Sequence, residues 1–244
     1  MVALGSALRA TLAAGLIAGL LASVFHQVLT EPVIDRAIAA EEARAAAQPG
    51  HTHDEEPVLG RGGQKIGLVV GLVLYGLTWG LLIGLALYAS RARAPAGWSL
   101  GRRGLIVAGL GGWSVALFPF LKYPANPPGV GEPGTIEYRQ TLYLGFIALA
   151  VLGMLLATSL RRRLRQRTER RNGWIVPGVF YAVWAIGLWA LMPPNPDPVS
   201  VSETIVRPFR ALSFTGLVVF WSGFALALAY LGRERAHAPL RAAR

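Results

Sequence analysis

Between His26 and Glu56 the chain gathers three of its four histidines and seven of its thirteen acids. The histidines are His26, His51 and His53, and the acids are Glu31, Asp35, Glu41, Glu42, Asp54, Glu55 and Glu56. Neutral imidazole offers a lone pair at pH 7. Imidazole nitrogens beside carboxylate oxygens make a mixed site suited to Co²⁺, Ni²⁺ or Zn²⁺. The candidate ligands are His26, Glu31, Asp35, Glu42, His51, His53, Asp54 and Glu55. His26 has a simpler reading, as a helix-end histidine bonded to a backbone carbonyl. His51-Thr-His53-Asp-Glu-Glu56 is a low-complexity, metal-attracting tract that would hold a dication loosely and raise its local concentration. Read as a plain solvated loop, it needs no function. No catalytic set accompanies these residues: H-E-x-x-H, a phosphate loop and a nucleophile–base pair are all missing from the sequence. A membrane enzyme is therefore the weakest reading, and no resident cofactor is expected.

The elements that must position these groups are apolar. Hydrophobic residues make up 53% of the 244 and charged residues 15%, where soluble domains carry about 25%. Mean hydropathy is +0.45. The formal charge of +11 would suit nucleic acid only on a folded, water-facing basic patch. Here the basic residues fall in short runs between apolar segments, so no nucleic-acid partner is expected and the lipid bilayer is. Cysteine is absent, which removes disulfides and thiolate chemistry.

A bilayer core of about 30 Å takes about 20 apolar residues in helix. Six segments qualify: Leu8–Leu29, Ile66–Tyr88, Leu105–Leu121, Leu142–Leu160, Trp174–Met192 and Leu212–Leu231. The expected fold is an all-α integral membrane protein, a bundle of about six transmembrane helices forming one domain over 1–244. The third and fifth segments are short and border prolines. The first carries one early positive charge, Arg9, and no evident cleavage site, so it reads as a retained helix rather than a signal peptide. With the amino terminus inside, 16 of the 24 basic residues fall inside with only Glu169 and Glu234, giving +14, and the outside sums to −3. Positively charged loops stay cytoplasmic. Both termini are therefore expected inside, with a basic cytoplasmic tail at 232–244.

The first outside loop, 30–64, should open with a short amphipathic helix from Glu31 to about Ala47, capped by Thr30 with Pro32 in its first turn. Glu31, Asp35 and Glu42 would share its polar face. In the second span, Gly67 and Gly71, then Gly76, Gly80 and Gly84, read as a face for close helix packing, as do Gly15 and Gly19 in the first. The second outside loop, 122–140, is stiffened by the prolines that run from Pro119 to Pro133. It should fold back on the bundle mouth and offers Lys122, Asn126 and Glu132 as structural or gating groups. The third outside loop offers Asp197 as a further polar group and adds Glu203, Arg207 and Arg210, the two arginines being suited to pairing with acids of the first loop. Tyr88, Trp98, Tyr123, Tyr143, Trp174 and Tyr230 lie near segment ends as an interfacial belt would. Trp79, Trp113, Trp184, Trp189 and Trp221 read as packing residues. No span carries an acid or lysine in its middle, which argues against a buried carboxylate relay.

Three stretches together resemble the CbtA family of cobalt transporter membrane subunits. They are His26-Gln-Val-Leu-Thr-Glu-Pro-Val-Ile-Asp-Arg-Ala-Ile38 with its His/Glu tract, Phe120-Leu-Lys-Tyr-Pro-Ala-Asn-Pro-Pro-Gly-Val-Gly-Glu-Pro-Gly-Thr-Ile136, and Arg207-Pro-Phe-Arg210. The second is the most specific. This chain has Gly129 and Gly134 where the family pattern is expected to carry Ala and Asp, which removes one acid from that loop. The resemblance implies an inner-membrane protein taking up Co²⁺ for cobalamin supply, beside a small one-span, histidine-bearing CbtB-like subunit. It transfers no binding residue. A homo-oligomer is a further expected partner state, and a non-transporting membrane scaffold is the alternative function.

Overall fold

The computed structural model describes residues 3–46, 59–93, 97–128, 130–167, 173–197, 199 and 201–233. Every regular element among them is helical. The helices are α1 (Leu4–Phe25), α2 (Glu31–Ala46), α3 (Arg61–Ala89), α4 (Leu100–Gly112), α5 (Phe118–Lys122), α6 (Ile136–Arg167), α7 (Ile175–Leu191) and α8 (Glu203–Leu231). Among the described residues five helical stretches are long and apolar enough to cross a membrane: Leu4–Ala43, Arg61–Ala89, Leu100–Lys122, Pro133–Arg165 and Glu203–Leu231. Ile175–Leu191 is apolar but shorter. Large apolar side chains such as Leu20, Val24, Leu74, Leu144, Val183 and Ile186 point outward. That distribution suits lipid, because hydrocarbon supplies no force to bury them. The six apolar segments and the all-α class are as the sequence led us to expect, and the chain is a multi-pass membrane protein.

Two five-residue π-helical turns join helices end to end: His26–Thr30 between α1 and α2, and Trp113–Leu117 between α4 and α5. Each stops two residues before a proline, Pro32 or Pro119. A proline inside a helix has no N–H and its ring collides with the carbonyl four residues back. The wider turn removes that collision. The Glu31 N–H donates to the His26 carbonyl, and the Phe118 N–H to the Trp113 carbonyl, each five residues back. The helix therefore continues through Pro32 without a break. Thr30 is not the N-cap that the sequence suggested; it is buried within the turn. α2 is described as far as Ala46, and its expected end at about Ala47 lies outside the described residues.

The chain forms two compact units. The first comprises residues 1–32, 45–109 and 215–244. Its centre is the approach of α1 to α3. Any Cβ on Gly15 would strike the carbonyl of Gly76, and a Cβ on Gly76 that of Gly15. A Cβ on Gly19 would stand 2.6 Å from the Leu72 oxygen, and one on Gly80 2.7 Å from the Thr11 oxygen. Ala7, Ala14, Ala18 and Ala22 continue the small, buried face. By contrast Gly67 and Gly71 meet nothing within 4 Å. The step from Gly71 to Gly76 is five residues rather than four, which swings the stripe by roughly 140° around the helix. Beyond the glycines, Tyr75 packs on Phe220 at 4.9 Å and Trp79 on Trp221 at 5.2 Å between ring centres. The buried Arg103 donates to the Leu87 carbonyl at 2.7 Å and to Ser90 Oγ at 3.2 Å, satisfying orphan acceptors at the end of α3.

The second unit comprises residues 33–44 and 110–214. Phe118, Phe146, Ala150 and Leu188 form its core. Trp113 stacks on Phe118 at 5.6 Å and donates its indole N–H to Tyr181 Oη at 2.7 Å. Trp184 lies flat over Gly153 and donates to the Leu149 carbonyl at 3.0 Å. Trp79, Trp113, Trp184 and Trp221 pack within the protein as expected, whereas Trp189 is 41% exposed, with Lys122 over its ring. At segment ends, guanidinium groups cover aromatic rings: Arg91 over Tyr88 (3.7 Å), Arg102 over Trp98 (4.4 Å), Arg161 over Trp174 (3.1 Å) and Arg233 over Tyr230 (5.2 Å). Such pairs anchor a helix end at a lipid–water boundary.

Candidate functional site

The first unit holds His26 and Glu31 at the two ends of the π turn that Pro32 imposes. His26 is half-buried. Its Nδ1 lies 2.9 Å from Thr30 Oγ1, and its ring meets Phe25 edge-on. The opposite edge of the imidazole, Nε2 and Cε1, lies where a Cβ on Gly216 would stand. Both ring nitrogens are therefore faced by protein in this conformation. Glu31 is only 4% exposed. Burying a carboxylate is costly unless it is paired. Arg61 Nη2 donates to its Oε2, and Lys65 Nζ stands 3.9 Å from the same atom. Gln27 Nε2 donates to the Lys65 carbonyl at 2.6 Å, which ties the π turn to the start of α3. Sequence reasoning placed Glu31 among the ligands but missed Gln27, Arg61 and Lys65. The signal was present: Arg61 and Lys65 share one face at i,i+4 directly ahead of an apolar run.

Asp35 is partly buried on α2 and Glu42 is exposed on it. Among the described residues no group of three or more His, Asp or Glu side chains is close enough to hold a metal ion. His51, His53, Asp54 and Glu55 lie outside the described residues.

The second unit draws the two proline-rich loops together around Asp197, whose side chain is 1% exposed. Its Oδ1 accepts from Thr135 Oγ1 at 2.7 Å and its Oδ2 from the Glu132 N–H at 3.2 Å. Arg139 Nε sits 3.0 Å from Oδ2, an ion pair not aligned as a hydrogen bond. Arg139 Nη2 in turn donates to the Glu132 carbonyl at 3.2 Å. Gly131, at φ +111°, lets the backbone pass where a Cβ would lie 2.6 Å from Arg139 Nη1 and 2.9 Å from Asp197 Oδ2. Further ties come from Lys122, which donates to the Trp189 carbonyl at 2.8 Å, and from Tyr123, which donates to that of Pro193 at 2.7 Å. Burial, with Tyr138 nearby, raises the Tyr123 phenol above its ordinary range and keeps it a neutral donor.

The five remaining candidates thus act as follows. Asn126 Oδ1 accepts from Arg210 Nη2 at 2.7 Å, and Glu132 contributes its backbone groups. Glu203 pairs with Arg207 one turn along α8, where both are exposed. Among the described residues the arginines' partners are Glu203 and Asn126, and no described first-loop acid pairs with them; Asp54, Glu55 and Glu56 lie outside the described residues. Helical spacing brings Glu203 to Arg207 before any distant acid can compete. Asp197, the hub, is among the polar groups that the sequence offers in the third loop but not among the predicted site residues; its position between Pro196 and Pro198 was the available signal.

The family model described as "Probable cobalt transporter subunit (CbtA)" matches residues 5–233. No curated protein and no solved structure matches the chain. The match takes in the π turn, both proline-rich loops and the six apolar helices, so the chain belongs to the CbtA family of cobalt transporter subunits.

Proposed function

We propose that this protein is the membrane subunit of a Co²⁺ uptake system in the inner membrane, with both termini in the cytosol. The observation that carries the proposal is the placement of three of four histidines and seven of thirteen acids in one stretch, His26 to Glu56, of a chain belonging to this family. His51, His53, Asp54 and Glu55 gather the ion from outside. Glu31, Asp35, Glu42 and His26 receive it closer to the helices. Arg61 and Lys65 neutralise Glu31 until the ion arrives, because an unpaired buried carboxylate would be too costly. His26 meets the ion after its ring turns out of the contact with Thr30 and Gly216. The family description as a subunit supports assembly with another chain, and a small one-span CbtB-like protein fits that role. Calorimetry with CoCl₂ on the purified protein tests the ligand set. The wild type should give saturable heat that the His26→Ala/His51→Ala/His53→Ala variant loses; equal, negligible heats from both would remove the proposal's physical basis.

A further inference from the structure

Beneath the proline-rich loops of the second unit lies an open cavity of about 350 Å³. Three aromatic rings, Phe120, Tyr123 and Tyr143, form part of its wall, and Arg139, Asn126 and Asn195 supply polar groups. The hydrogen bonds behind the wall fix what these polar groups offer. Arg210 Nη2 can only donate, so the Asn126 oxygen must face it. The Asp197 N–H can only donate, so the Asn195 oxygen, 3.1 Å away, must face that. Among the described residues both amides are left with their NH₂ groups as uncommitted donors. Arg139 Nη1 likewise makes no hydrogen bond among the described residues. Asp197, the carboxylate paired with Arg139, has both oxygens occupied by Thr135, the Glu132 N–H and Arg139. Asp197 balances the charge of Arg139, but Arg210, behind Asn126, meets no carboxylate among the described residues. A cation would thus meet donors and positive charge, whereas an anion would meet three donor groups and flat apolar walls.

We propose that this cavity binds a small organic anion, a carboxylate carrying a planar apolar portion. The carboxylate lies against Arg139 Nη1 and the two amide NH₂ groups, since a guanidinium edge is suited to carboxylate oxygens. The planar portion lies between the aromatic side chains. The cavity lining shares no residue with the proposed ion-gathering set, and the proposal does not depend on the uptake of Co²⁺.

The probe is sodium benzoate, titrated calorimetrically at low salt into the full chain in lipid nanodiscs, with benzylamine as the charge-reversed control. Asn126→Asp keeps an oxygen for Arg210 but turns the cavity-facing donor into a negative acceptor. Benzoate should bind saturably, at least tenfold more tightly than benzylamine, and Asn126→Asp should weaken it at least tenfold with an unchanged melting temperature. Should Asn126→Asp melt early, Asn195→Asp makes the same donor-to-acceptor change while still accepting the Asp197 N–H. Benzoate binding that is absent, no tighter than that of benzylamine, or unaltered in the folded variant would overturn the proposal.

Discussion

The imidazole of His26 rests against the backbone of Gly216, so that the histidine at the end of α1 is wedged by a residue with no side chain. Thr30 holds one edge of the ring and α8 bounds the other. Gly216→Ala should therefore displace the ring and cost about 1–3 kcal/mol, the usual range for an added methyl group in a packed site. His26→Ala in the same chain should recover much of that loss. A thermal-melt double-mutant cycle checks it: coupling of about 1 kcal/mol is expected, and simple additivity would show that the ring is not the obstacle.

The α1–α3 contact depends on backbone meeting backbone at Gly15 and Gly76. Gly76→Ala has no flexible neighbour to displace and should destabilise by about 1–3 kcal/mol. Gly71→Ala, with open space around it, should change stability by about 0.5 kcal/mol or less. Unfolding of the three proteins in mixed micelles separates the two cases. Equal effects at Gly71 and Gly76 would contradict the interface.

Asp197 is the centre on which both proline-rich loops converge. Asp197→Ala removes three partners and leaves Arg139 uncompensated. Breaking a buried pair costs about 3–5 kcal/mol, reduced here to about 2–3 because Arg139 retains 27% exposure and some access to water. Limited proteolysis should cut the variant between 122 and 140 faster than the wild type, while cleavage elsewhere remains unchanged.

Sidedness follows from the arginines. The Thr52→Cys variant should react with an impermeant maleimide added to intact cells, and the Ala238→Cys variant only after permeabilisation. Labelling of position 52 from the inside alone would reverse the arrangement and the gathering role of the loop with it.

Much of this architecture is legible in the sequence, because hydrocarbon leaves the backbone few options. Run length and composition are enough to find six apolar helices. The course of the chain at Pro32 was less legible. Thr30-Glu-Pro32 has the signature of a capped new helix, yet the π turn absorbs the proline and carries the helix through. The glycine stripe of α3 could have been divided in advance, since a five-residue step cannot keep Gly71 and Gly76 on one face. Asp197 was harder to find. Its role depends on Thr135, Arg139 and the turn at Gly131, more than 55 residues away, and no local periodicity encodes such a meeting. For the ligands, type and clustering pointed to His26 and Glu31, but not to the Thr30, Gly216 and Arg61 contacts that now occupy them.

The central claim is that the chain serves Co²⁺ uptake through its histidine- and acid-rich loop, and accumulation of ⁵⁷Co²⁺ in cells tests it most directly. Three strains matched in protein level are compared: one lacking the gene, one carrying the wild type, and one carrying His51→Ala/His53→Ala/Asp54→Asn/Glu55→Gln. The wild type should accumulate cobalt well above the deletion strain, with the substituted loop falling most of the way back at limiting cobalt and recovering as cobalt is raised. Equal accumulation in all three strains would contradict the account.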